Sequence, residues 1–229
     1  MSMLVAESEA EAIACRPRTV ADLLKELGQI PAERIRLQPA PGTATELDLL
    51  QTRRCELIDG TLVECAMGFF ESRLAIVLIC VIEQYLKANP IGFTVGADAY
   101  MRLERVGIRI PDVSVYLWTQ FPERKVPQVS VADTIPLLAV EVISSTNTRQ
   151  EMVRKRREFL ERGTELFWIV DPRKQTVEVA SADGSGTTLT IDETLSGEPV
   201  LPGFRLKIAD WFGQAESAPP AQEDSSKTP

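Results

Sequence analysis

The stretch LLAVEVISS, Leu137 to Ser145, decides how the chain is built. Six of its first seven residues are apolar, the composition of a strand buried on both faces of its sheet. A glutamate, Glu141, interrupts the run. A buried carboxylate is costly unless it is paired or holds a metal, so its surroundings should explain it.

Downstream, Thr148 to Arg162 has the pattern of a helix stopped by Gly163. Met152, Lys155 and Phe159 fall at i, i+3 and i+7, so one lysine shares the inward stripe with two apolar side chains. Arg154, Arg156 and Arg157 are placed nearer solvent. LFWIV and TVEVA then predict two strands around the turn at Asp171-Pro172. TTLTI and VLPGFRLKIADWF predict a last strand or two and a short helical turn.

Upstream, PDVSVYLW is a strand with Val113, Val115 and Leu117 on one face and Asp112, Ser114, Tyr116 and Trp118 on the other. FTVGADAYMRL alternates over its length and is expected to pair with it around the turn ERVG. A loop is expected from Phe121 to Thr134. Glu71 to Ala88 is apolar nearly all round, predicting a buried helix that ends at Asn89-Pro90. CELIDGTLVEC predicts a hairpin turning at Asp59-Gly60, and short helices are expected from Thr19 to Gly28 and within TELDLLQTRR. The order of elements predicts an α/β core, a mixed β-sheet flanked by helices, in one domain over residues 19–213. Residues 1–18 and 214–229 are expected to be disordered.

Composition narrows the chemistry. The 229 residues include no histidine, and the four cysteines, Cys15, Cys55, Cys65 and Cys80, are 40, 10 and 15 residues apart. Zinc sites of the Cys/His type and imidazole mechanisms are thereby excluded. The longest apolar run, Leu74 to Ile82, has nine residues, short of the roughly 20 that span a membrane. With an acidic start that lacks a basic leader region, the expectation is a soluble, reducing, cytoplasmic setting with no membrane partner. A net charge of −8 argues against a nucleic-acid coat protein. Residues 149–157 nevertheless carry five bases and one acid, a local basic patch on an acidic chain.

Asp112 and Glu141 lie 29 residues apart. If their strands are neighbours, two carboxylates and the inward Lys155 meet at one point. Such a set suits phosphodiester hydrolysis with magnesium, which binds through one or two protein carboxylates, water and substrate phosphate.

Pro111-Asp112 followed by Glu141-Val142-Ile143 and a nearby lysine resembles the PD-(D/E)XK restriction-endonuclease-like superfamily. More closely, CELIDGTLVE, IRIPDVSVY, LLAVEVISSTNTRQEMVRKRREFLERGTELFWIVDP and VLPGF resemble the Uma-two family, a bacterial group classed as endonucleases, over about Thr19 to Phe212. The resemblance implies a restriction-endonuclease-like fold and a DNA endonuclease. Asp112 and Glu141 would hold Mg²⁺ or Mn²⁺, with the backbone carbonyl of Val142 as a further ligand. The superfamily usually sets its lysine two residues after the glutamate, where this chain has Ile143; in the Uma-two pattern the lysine lies on the following helix, at Lys155, where it would position the attacking water. Glu71 matches a helix position that supplies a third carboxylate in some members, and is equally an ordinary acid at a helix N-terminus. Homodimers are common among such nucleases.

Three alternatives stand beside this reading. Glu141 and Lys155 could be a buried ion pair that fixes register. The fold could serve binding or interaction without turnover, or hydrolysis of small phosphates. Glu56 and Asp59 are read as hairpin residues rather than ligands, the basic stretch as a solvated helix face, and Trp118, Trp168 and Trp211 as core.

Overall fold

The computed structural model describes residues 19–217 apart from 53, 66, 105 and 106. The expected disordered N-terminus, most of the expected tail and the centre of the ERVG turn lie outside these residues. The fold is the expected mixed α/β arrangement, but it is built on two larger sheets.

The elements run α1 (Val20–Glu26), α2 (Glu46–Gln51), β1 (Cys55–Ile58), β2 (Thr61–Glu64), α3 (Phe69–Ala88), β3 (Gly92–Gly96), β4 (Tyr100–Glu104), β5 (Gly107–Arg109), β6 (Val113–Leu117), β7 (Val131–Ala132) and β8 (Leu138–Val142). Then follow α4 (Arg149–Glu161), β9 (Leu166–Asp171), β10 (Thr176–Ser181), β11 (Gly186–Leu189), β12 (Thr194–Ser196), β13 (Arg205–Lys207) and α5 (Ile208–Glu216). A six-stranded sheet has the order β11-β10-β9-β8-β6-β3, and a five-stranded sheet the order β2-β1-β5-β4-β7. The last short hairpin pairs β12 with β13.

All five residues of β8 are buried. Leu138, Val140 and Val142 point to the side covered by α3 and α5, where Leu74, Leu78, Ile82, Trp168 and Trp211 complete the main core. The Trp211 indole N–H donates to the Leu74 carbonyl at 3.0 Å and pins α5 to α3. Ala139 points the other way, to Met152 and Phe159 of α4 and to Phe167 and Ile169 of β9. Burying Phe159 completely, against water, is worth about 3 kcal/mol to the packing of α4. The parallel pair β8–β9, joined through α4, is the βαβ unit at the centre.

Local signals account for most boundaries. Thr148 caps α4 in a capping box with Glu151, and Gly163, at φ 105°, ends it. The hairpin turn holds Asp59 at φ 48° and Gly60 at φ 69°, the left-handed pair that such a turn requires. At Gly60 a side chain would also collide with the Gly42 backbone, 2.8 Å from an added Cβ.

Four expectations are corrected. FTVGADAYMRL is not one strand: Asp98 N–H bonds back to the Gly96 carbonyl at 3.0 Å, and this turn sends β3 to the six-stranded sheet and β4 to the five-stranded one. β6 accordingly pairs with β3 and β8, and β4 with β5. Helix α3 is one-sided rather than buried all round, with Ile76 50% exposed. The expected loop 121–134 contains β7, parallel to β4, and residues 214–216 of the expected tail continue α5.

Candidate functional site

Asp112 immediately precedes β6, whose antiparallel register against β8 pairs Val113 with Val140. Continued by one residue, that register sets Asp112 opposite Glu141. Two hydrogen bonds hold it there: Asp112 N–H donates to the Val140 carbonyl at 3.1 Å, and Val142 N–H donates to Asp112 Oδ2 at 2.7 Å. The carboxylate of Asp112 is therefore tied to the backbone of the strand that carries Glu141.

Lys155 reaches the same place from α4. Its ammonium lies 2.6 Å from Glu141 Oε1 and donates to the Ile110 carbonyl at 3.2 Å. Lys155 and Glu141 are both buried, at 5% and 6% exposure. The lysine and glutamate thus meet, and Asp112 lies across the strand pair beside them.

A second carboxylate on Lys155 was not expected. Glu56, on the neighbouring sheet, has Oε1 at 2.8 Å from Lys155 Nζ and accepts from Ile110 N–H at 2.9 Å. Its Oε2 accepts from Arg109 at 3.0 Å, and Arg109 turns its other face to Glu158 at 2.5 Å. The signal at Glu56 is the one that marks Glu141: an acid between apolar residues, here Cys55 and Leu57, in a strand buried throughout except at its turn. The Asp59-Gly60 turn drew the reading of that segment to hairpin geometry alone. Asp59 stays a surface residue, paired with Arg154 at 2.7 Å.

Glu56, Asp112, Glu141 and Lys155 line a cleft of about 240 Å³, with Arg34, Arg54, Cys65 and Val142 also on its wall. At its edge Arg34 makes a bidentate pair with Glu151, 2.9 Å on each arm and almost fully buried. Glu151 is also the capping acid of α4. The cleft therefore fixes the start of the helix that carries Lys155. In the basic stretch, Arg154 pairs with Asp59 and Glu158, Arg156 with Glu178, and Arg157 with Glu161.

The family described as "Putative restriction endonuclease", Uma2, matches residues 44–209. The chain belongs to the Uma2 family. Its fold is similar to a crystal structure titled as a putative nuclease of DUF820 from Anabaena variabilis ATCC 29413. The TM-score is 0.62 at 20% identity, over 69% of this chain and 89% of that one. No curated protein matches the chain.

In this Uma2 chain the acids around Lys155 outnumber what one ammonium can neutralise, and their proton affinities separate accordingly. Burial pushes Glu56 up, but Lys155 and Arg109 overcome this and hold its carboxyl near 2. Burial raises Asp112 to about 6 in spite of Lys155 and the Val142 hydrogen bond. Glu141 is pushed well above the usual carboxylate range by burial and by the neighbouring Asp112 and Glu56 charges, which outweigh Lys155. Lys155 itself is held up, since Glu141 and Glu56 more than offset its burial. Glu141 Oε1 is met by the Lys155 ammonium at 2.6 Å and by no backbone or arginine donor.

Two under-compensated carboxylates and an oxygen with a spare lone pair fit a divalent cation. Among the described residues no three acidic or cysteine side chains form a metal-binding group. Asp112 and Glu141, with a backbone carbonyl and water, would form an oxygen donor set that suits magnesium rather than zinc. The Glu71 carboxylate lies over Gly68, at the start of its own helix, and its charge adds to the push on Asp112. Among the described residues Cys55, Cys65 and Cys80 are free thiols, and no helix is long and apolar enough to cross a membrane.

Proposed function

We propose that this Uma2 protein is a divalent-metal-dependent DNA endonuclease. Asp112 and Glu141 hold Mg²⁺ or Mn²⁺, the Val142 carbonyl adds a ligand, and Lys155 positions the attacking water. The observation that carries the reading is the sharing of Lys155 between Glu141 and Glu56, at 2.6 and 2.8 Å, with Asp112 beside them on an open cleft. A pair that only fixed register would need no third carboxylate, whereas here Asp112 stands beside the shared lysine on the wall of the same cleft.

A bound Mg²⁺ supplies Lewis acidity at a phosphate oxygen. The chain supplies the rest. Asp112 stays oriented by the Val142 N–H, and Lys155 donates to the attacking water and to a phosphate oxygen; the water gives its proton to solvent as its bond to phosphorus forms, and the leaving oxygen takes a proton from solvent as its own bond to phosphorus breaks. Arg54 on the cleft wall favours an anionic strand.

The test is calorimetry of Mg²⁺ and Mn²⁺ with the protein and with Glu141→Gln, followed by plasmid nicking with the same samples. Binding and nicking that disappear together in the variant support the reading. No metal binding by the parent protein defeats it, and metal binding without nicking of any duplex points to a binding role on the same fold.

A further inference from the structure

The two carboxylates that share Lys155 differ in how firmly they are held. Glu141 Oε1 is held by the ammonium alone, at 2.6 Å, with no backbone or arginine donor beside it. Glu56 is fixed from three directions, by Lys155 at 2.8 Å, by Ile110 N–H at 2.9 Å and by Arg109 at 3.0 Å. It comes from β1, on the other large sheet, and stands apart from the β6–β8 pair that carries Asp112 and Glu141.

A divalent cation placed on Asp112 and Glu141 would occupy the lone pairs that now attract the ammonium, and would repel it. A lysine has a long, flexible stem and would then tend to leave for water. Glu56 and the Ile110 carbonyl, 3.2 Å from Nζ, oppose that departure. We infer that Glu56 is a positioning residue: it retains Lys155 in the cleft when a divalent cation takes Glu141, so that the ammonium moves from one carboxylate to the other. Before the cation arrives, Lys155 supplies the positive charge at Glu141; afterwards it is free to face the phosphate. The inference rests on the metal reading above and adds to it a role for a residue of the hairpin.

The experiment follows the Lys155 ammonium itself by nitrogen-15 NMR of the full chain, with the signal assigned by its absence in Lys155→Arg. In the parent protein the signal should be visible without metal, shift on addition of Mg²⁺ and persist at saturation. In Glu56→Gln, which keeps an acceptor for Ile110 N–H, it should be visible without metal and be lost to solvent exchange at saturation. Calorimetry of that variant should show Mg²⁺ affinity weakened by roughly ten- to a hundredfold, the usual scale for residues that support a metal site.

A parent signal unmoved by Mg²⁺ that calorimetry shows to be bound would overturn the exchange and leave the metal site standing. A signal that persists in Glu56→Gln at saturation would overturn the role of Glu56. No calorimetric binding by the parent overturns both this inference and the function on which it rests. If Glu56→Gln does not fold, the parent titration still decides the exchange, and Glu56→Asp, with its shorter reach, should show a weakened but surviving signal.

Discussion

Asp112 Oδ2 accepts a 2.7 Å hydrogen bond from Val142 N–H, one residue beyond Glu141 on the facing strand. The same carboxyl group is thus a structural acceptor and a candidate metal ligand, and the two roles can be separated by substitution. Asp112→Asn keeps an acceptor oxygen, so it should fold normally and lose metal binding and nicking. Asp112→Ala also strands the Val142 donor and should cost a further 1–3 kcal/mol or so in urea unfolding. Equal stability of the two variants would contradict the structural role.

Lys155 and the candidate metal ligands should likewise come apart. Lys155→Met fills similar space without the charge that competes for Glu141, so Mg²⁺ should bind at least as tightly as in the parent while nicking is lost. The check is calorimetry alongside a nicking assay. A variant that loses metal binding altogether would place Lys155 among the groups that build the site rather than those that act beside it.

The metal-free protein should respond to pH in two opposite ways. Asp112 has a folded value of about 6, above its unfolded one of about 3.9, so its protonated form favours the folded state. That contribution is present below the unfolded value and is lost as pH rises through about 6, and Glu141, also raised, acts in the same sense. Glu56, held near 2, contributes above about 4.3 and is lost as pH falls toward 2. With chelator present, Tm should therefore fall between about pH 4 and 6, and Asp112→Asn should flatten that fall. Mg²⁺ should restore Tm in the parent at pH 7 and not in the variant.

Arg34 and Glu151 form a bidentate pair with side chains only 7% and 4% exposed. Removal of one partner leaves a buried charge, so Arg34→Ala should destabilise the fold by about 3–5 kcal/mol, read from denaturant midpoints. Arg157→Ala, which removes a pair with side chains 66% and 67% exposed, should change stability by less than about 1 kcal/mol.

Much of this architecture is legible in the sequence because local chemistry determines it. The Asp59-Gly60 turn, the stop of α4 at Gly163 and the Met152–Lys155–Phe159 stripe each depend on neighbours close in the chain, and the structure places all three as the residues suggest. The meeting of Asp112 with Glu141 needed one assumption, that their strands are neighbours, and the register supplies it. What is not legible depends on which sheet a strand joins. The alternation from Phe93 to Leu103 is continuous, and nothing local announces that Gly96 to Asp98 turns the chain from one sheet into another. Glu56 was obscured for the same reason: its partners Lys155 and Arg109 are 99 and 53 residues away, and only the packing of the two sheets brings them together.

The anchoring of α4 bears on how much chain the site requires. Thr148 Oγ1 donates to the Gly28 carbonyl at 2.6 Å, Arg154 donates to the Glu26 carbonyl at 2.5 Å, and Arg34 grips Glu151. All three partners precede residue 44, where the family match begins. The part of the chain most readily identified by kinship is thus smaller than the part that works mechanically. Residues 26–34 brace the helix that presents Lys155, so a fragment cut at the family boundary would keep every candidate ligand and still lose the contacts that seat that helix.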